Sequence, residues 1–194
     1  MNKFLFFKIS AIIFFIGCTS NISKSSEIDL KFKALDSDVT GVTFNNQLKS
    51  NTDLNIIEYL YYYNGGGVAL GDINNDGLDD IFFSGNEVND QLYLNQGNMV
   101  FKNISKSSGI ANQNNWSTGA SMADVNNDGF IDIYVSTVSD YKNLKGHNRL
   151  YINNGDLTFT ESSKKIGLDF EGFGTHASFF DYDNDGDLDV YLLN

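Results

Sequence analysis

The 194-residue chain contains no proline, one cysteine, one tryptophan, one arginine and two histidines. The lone cysteine, Cys18, rules out an intramolecular disulfide. His147, His176 and Arg149 are the whole supply of imidazole and guanidinium, so acid–base and nucleophilic catalysis find little footing. Ser117 and Ser121 stand near Trp116, but no Ser-His-Asp arrangement can be inferred from them. Basic residues are scarce too: 13 Lys and Arg face 25 Asp and Glu, a net charge of −12. Nucleic acid is therefore not an expected partner. No long 3.6-residue hydrophobic periodicity is present, which argues against a helical domain. What the chain does hold is β-forming: 16 Phe, 10 Tyr and repeated Asn-Gly and Asp-Gly turn signals.

Residues 1–17 read as an export signal, with Lys3 and Lys8 ahead of the apolar run Ile9–Ile16 and small Gly17 at its end. The run is too short for a stable transmembrane helix. Phe15-Ile16-Gly17-Cys18 resembles a bacterial lipobox, which implies lipidation of Cys18 and a mature N-terminus there. Ordinary signal cleavage nearby is the alternative. The serine-rich stretch within 18–27 reads as a flexible tether, leaving 28–194 as the folded part. The expected location is outside the cytoplasm, on a bacterial outer membrane or cell surface, held by the lipid.

The strongest signal is a ten-residue phrase written three times: DINNDGLDDI at 72–81, DVNNDGFIDI at 124–133 and DYDNDGDLDV at 181–190. Oxygen-bearing side chains fall at positions 1, 3, 5 and 9: Asp72, Asn74, Asp76, Asp80; Asp124, Asn126, Asp128, Asp132; Asp181, Asp183, Asp185, Asp189. Position 6 is always glycine (Gly77, Gly129, Gly186), as a chain curling with positive φ requires. Carboxylates this crowded repel one another unless a cation sits among them, and a hard ion taking six to eight oxygens suits the pattern. Calcium at about three sites is the expectation. The position-7 carbonyls of Leu78, Phe130 and Asp187 would complete each shell from the backbone. Twelve of the 25 acids lie in these loops, so the remaining 13 acids balance the 13 bases. An EF-hand is excluded because position 12 is Phe83, Val135 or Leu192 rather than glutamate, and apolar strand-like runs flank each loop. A metal-free Asp-Gly hairpin turn explains the glycine but not the repeated Asp at positions 1 and 9.

The repeat extends beyond the loop. QLYLNQGNMVFKNISKSSGI at 91–110 aligns without gaps on RLYINNGDLTFTESSKKIGL at 149–168, each a hairpin turning at Gly97 or Gly155. Each unit is strand, loop, strand, two-stranded hairpin, with repeats at about 64–115, 116–172 and 173–194. Spacings of 52 residues (Asp72 to Asp124) and 57 (Asp124 to Asp181) fit four-stranded propeller blades. The DxNxDGxxD loops with LYxNNGD hairpins resemble FG-GAP/VCBS repeats of integrin-α-type propellers. NGGGVALGDINNDGLDD at 64–80, Trp116–Gly119 and Phe179–Asp189 resemble CRTAC1-like, ASPIC/UnbV-associated exported bacterial proteins. That resemblance implies an all-β, seven-bladed propeller, of which this chain is read as an N-terminal piece. Phe32-Lys33-Ala34 through Gly41-Val42 echoes Phe101–Ile110 and Phe159–Leu168, so it is expected to be the outer strand of a blade.

Trp116 and His176 are the candidates for a ligand face. His176 takes the slot of Gly67 and Gly119 at the start of the strand nearest the axis, although a merely solvent-facing role explains it as well. Tyrosines 59–63 are expected in a strand or in packing between units, and His147 in an exposed insert at 137–148. Asn-x-Ser sequons at Asn21, Asn103 and Asn115 carry little weight in a bacterial lipoprotein. Two function classes remain. One is a calcium-stabilised module that binds extracellular protein or glycan without chemistry. The other is the leading part of a propeller polysaccharide lyase or hydrolase whose catalytic residues lie elsewhere.

Overall fold

The computed structural model describes residues 32–110 and 115–194. The export signal, Cys18, the tether and the Asn21 sequon lie outside the described residues. Regular structure is antiparallel β apart from two single helical turns. The first sheet is a meander of β1 (Val68–Gly71), β2 (Asp80–Phe83), β3 (Gln91–Asn95) and β4 (Phe101–Asn103). The second repeats it with β5 (Trp116–Ala123), β6 (Asp132–Val138), β7 (Arg149–Asn153) and β8 (Phe159–Glu161). The third pairs β9 (His176–Phe180) with β10 (Asp189–Leu193). Each acidic loop joins the first strand of a sheet to the second. The three sheets do not close into a ring among the described residues.

Successive residues of a strand point to opposite faces, and β6 shows what that achieves. Every residue of Asp132–Val138 is buried. Ile133 and Val135 join Ala69, Ile73, Phe82 and Leu92 of the first sheet in one core, while Tyr134 joins Ala177, Phe179, Val190 and Leu192 of the third in another. After Asp132 the run IYVSTV is apolar or small because both faces are covered. Each fully buried large side chain contributes about 1.5–3 kcal/mol over its exposed state. On β10, by contrast, Tyr191 and Leu193 remain exposed.

One buried ion pair crosses between the first two sheets. Arg149 Nη2 lies 3.0 Å from Asp90 Oδ2 and donates to Ser117 Oγ at 2.8 Å; Ser117 Oγ in turn donates to Asp90 Oδ2 at 3.1 Å. Asp90 Oδ1 accepts the Gly85 N–H at 2.8 Å, and the guanidinium sits 5.9 Å from the centre of the Tyr151 ring. Burial pushes the Asp90 carboxyl above its ordinary pKa, against the pull of Arg149, the Gly85 N–H and Ser117. At the equivalent point of the second sheet, Asn148 Oδ1 accepts the Thr137 N–H at 2.8 Å, so the same bond is made there by a neutral residue.

The outer-strand expectation for Phe32-Lys33-Ala34 is not met: these residues have no ladder partner among the described residues, and Phe32 is exposed. The echo holds instead in the turn that follows. Helix α1 (Ser37–Thr40) ends at left-handed Gly41 as α2 (Ser163–Ile166) ends at left-handed Gly167. Beyond it, residues 43–46 cover the free face of the first sheet. Phe44 stacks on Phe83 at 4.8 Å, Thr43 N–H donates to Tyr93 Oη at 3.2 Å, and Asn46 Nδ2 donates to Asn86 Oδ1 at 2.6 Å.

Tyrosines 59–63 form turns, not a strand, because Tyr59 and Tyr62 fold inward while Tyr61 and Tyr63 stay exposed. Tyr59 and Tyr62 pack on Trp116 at centroid separations of 5.7 and 5.4 Å, so the packing half of that expectation is what the structure contains. His147 is half-buried rather than freely exposed.

Candidate metal centres

The three acidic loops share a single hydrogen-bonded design. In the first, Asp72 accepts two N–H groups, from Asp76 at 3.1 Å and Gly77 at 2.7 Å; Asp76 Oδ1 accepts from Leu78 N–H at 2.9 Å. The second repeats it with Asp124 accepting from Asp128 at 3.0 Å and Gly129 at 2.8 Å, and Asp128 from Phe130 at 2.9 Å. In the third, Asp181 accepts from Gly186 at 3.2 Å and Asp185 from Asp187 at 3.1 Å. These bonds wrap the chain round its own carboxylates. Two residues per loop take positive φ: the glycine, at 86°, 90° and 95°, and the position-4 asparagine (Asn75, Asn127, Asn184), at 59°, 55° and 61°. Asparagine is among the few side chains that adopt this region readily. The sequence reading caught the glycine and missed the asparagine, although it stands in all three copies.

The ninth-position aspartates do a second job. Asp80 Oδ2 accepts Ile73 N–H at 3.0 Å and its Oδ1 accepts Asn95 N–H at 2.7 Å. Asp132 does the same with Val125 at 3.0 Å and Asn153 at 2.8 Å. They thus tie the loop to the hairpin asparagine of LYxN, whose own amide donates onward to Asp79 O in the first unit and to Ile131 O in the second. Asp189 accepts Tyr182 N–H at 2.9 Å. The LYxN asparagines were read only as part of a hairpin; their conserved place within both units was the available signal.

Electrostatics mark these loops as strained for negative charge. Burial pushes the Asp80 carboxyl up, opposed by its two N–H partners and reinforced by Asp76 and Asp72. Asp132 is raised in the same way, with Asp128 and Asp124 as the like charges. Contact with Asp185 raises Asp187. For Asp72, slight burial acts upward, but N–H groups of Gly77, Asp76, Asn74 and Asn75 outweigh it and hold the group below its ordinary value. In the third loop, carboxylate oxygens of Asp181, Asp183 and Asp189 lie within 4.8 Å of one another. An all-oxygen donor set of this charge, converging from three carboxylates, fits a hard divalent cation.

The remaining candidates lie toward the ends of β1, β5 and β9 away from the acidic loops. Gly67, one residue before β1, Gly119 of β5 and His176, the first residue of β9, stand side by side. A Cβ on Gly67 would come 2.9 Å from Gly119 Cα, and one on Gly119 would come 2.3 Å from Thr175 O and 2.9 Å from His176 Cα. Only glycine permits strands this close. His176 is exposed, and Trp116 is 2% exposed beneath the tyrosines. Beside them opens a cleft of about 560 Å³, lined among others by Tyr59, Tyr61, Trp116, Val138, Phe173 and Leu193.

Comparison with known proteins agrees with the repeat architecture. Residues 72–135 and 137–192 each match the FG-GAP-like repeat. Cartilage acidic protein 1 of Xenopus tropicalis and that of Mus musculus are each 31% identical to the chain over 137 residues, and the Homo sapiens protein is 28% identical. Those alignments cover 69% of this chain and 20% of each relative, so the chain spans about a fifth of the curated relatives it matches. With two matched repeats spanning more than half its length, the chain belongs to the FG-GAP-like repeat family.

Proposed function

We propose that this chain is an exported, calcium-stabilised binding module whose three sheets are blades of a β-propeller. Calcium would be held by the side chains at positions 1, 3, 5 and 9 of each loop with the position-7 carbonyl, and it would relieve the repulsion among their carboxylates. The observation that carries the metal reading is the convergence of Asp181, Asp183 and Asp189. Membrane attachment would come from lipid on Cys18.

The ligand seat in this reading is the aromatic-lined cleft, at the end of the blades away from the metal loops. Its lining offers rings, threonines, asparagine amides and a glycine run, and its ionisable side chains are the phenols of Tyr59 and Tyr61. That chemistry suits recognition of an extracellular protein or glycan. Tyr61 and Phe173 are the exposed rings at its rim.

The test is a thermal melt of the full chain in millimolar calcium, in EGTA and in magnesium. Extracellular calcium modules bind at roughly 10⁻⁴–10⁻³ M. Occupancy at ten times Kd adds about 1.4 kcal/mol per site, and magnesium should substitute poorly because it demands a smaller octahedral shell. Identical curves in calcium and EGTA would refute the metal reading. Tyr61→Ala should weaken capture on arrays of glycans and matrix proteins without moving the melt; unchanged capture would remove the cleft as the ligand seat.

A further inference from the structure

The first two acidic loops are bonded to each other across the boundary between sheets, at two separate points. Asn75, between candidate ligands Asn74 and Asp76, donates its side-chain amide to Gly129 O at 2.9 Å. Gly129 immediately precedes Phe130, the position-7 residue of the second loop. Asn153 makes the return link. Its Nδ2 donates to Ile73 O in the first loop at 2.8 Å and to Ile131 O in the second at 3.1 Å, while its N–H holds Asp132 Oδ1 at 2.8 Å. Ile73 sits between Asp72 and Asn74, and its N–H holds Asp80 at 3.0 Å. One buried asparagine therefore touches the backbone of both loops and a ninth-position carboxylate.

We propose that Asn75 and Asn153 are positioning residues that couple the first and second cation sites, so that filling one favours filling the other. The proposal rests on the calcium reading above. A loop whose carboxylates are neutralised holds its curl; a loop without its ion relaxes under like-charge repulsion. Because Asn75 and Asn153 tie together the curled backbones of both loops, each loop's curled state favours the other's. Coupling of this kind is a reciprocal shift in affinity, typically ~5–150-fold.

The fold contains its own controls. Asn95, the counterpart of Asn153, donates only within its own unit, to Asp79 O. Asn127, the counterpart of Asn75, makes no corresponding bond to the third loop among the described residues. The third site should therefore fill independently.

Calcium titration of the full chain, followed by NMR at the amides of Gly77, Gly129 and Gly186, reads each loop separately. Disabling the first site with Asp72→Ala and Asp76→Ala, which removes the acceptors that hold its curl along with the ligands, should raise the Gly129 midpoint at least ~5-fold and leave Gly186 unmoved. Adding Asn75→Gly keeps the left-handed backbone and removes the amide, and Asn153→Asp keeps the N–H and the acceptor but removes the donor. In either background the effect of the disabled site on Gly129 should shrink, and with both it should vanish. A Gly129 midpoint indifferent to the first site, or coupling undiminished with both asparagines changed, overturns the proposal. Glycine amides that ignore calcium altogether overturn both it and the metal reading on which it stands.

Discussion

Removing the carboxylate of Asp90 tests how the first two sheets are held together. Asp90→Ala takes the carboxylate away from the buried Arg149 guanidinium, which keeps its bonds to the Ser117 and Tyr151 hydroxyls. Side-chain exposure is 3% for Arg149 and 0% for Asp90, so water does not readily replace the lost partner. Breaking such a pair from one side costs about 3–5 kcal/mol. For a domain of this length that corresponds to a fall in Tm of roughly 6–20 °C, at ~2–4 °C per kcal/mol. The double variant Asp90→Ala/Arg149→Met removes the buried cation along with its carboxylate and should recover most of the loss. The assay is urea and thermal unfolding of the full chain in saturating calcium, with both single variants and the double forming a cycle. Raising salt from 0.1 to 1 M should leave the coupling in place, because screening acts on exposed charges. The Lys142–Glu58 pair serves as the contrast: its side chains are 32% and 42% exposed, and Lys142→Met should leave the melt nearly unchanged. A loss below about 1 kcal/mol for Asp90→Ala, or a double variant no more stable than that single, would refute the reasoning.

Two further outcomes follow from the structure and one from the sequence. Gly119→Ala places a methyl within 2.3 Å of Thr175 O and 2.9 Å of His176 Cα, so it should destabilise by roughly 1–3 kcal/mol; an unchanged urea midpoint would show that the strands slide apart freely. The Asp156 carboxyl accepts from the Thr158 hydroxyl and N–H and is held below its ordinary value. Its stabilising share is therefore present above the ordinary carboxylate range and lost as pH falls through its lowered folded value, and an NMR titration of Asp156 should show that low midpoint. Cys18→Ala should move the protein out of the membrane fraction of a bacterial host; unaltered fractionation would exclude the lipid anchor.

The acidic loops were legible because everything that defines them is local. Asp72 accepts from Asp76 and Gly77, and Asp80 reaches back to Ile73, all within nine residues of chain, and the three copies can be laid side by side. The hairpins were legible for the same reason. What escaped notice lies across long separations. Arg149 and Asp90 are 59 residues apart, and Asn75 reaches Gly129 over 54. Neither residue of such a pair looks unusual alone, so Arg149 read simply as the chain's single arginine. The tyrosine run misled in another way: its composition favours a strand, but Tyr59 and Tyr62 pack against Trp116 from turns. Phe32-Lys33-Ala34 has the wording of an edge strand, yet wording cannot supply the hydrogen-bonding neighbour that a strand requires.

Gly119 has a consequence for the residue beside it. A Cβ there would stand 2.9 Å from both the Cα and the Nδ1 of His176, and 2.3 Å from Thr175 O. The missing methyl therefore makes room twice, once for the neighbouring backbone and once for the imidazole. Of Gly67, Gly119 and His176, the one residue that carries a side chain has space for it because its neighbour has none.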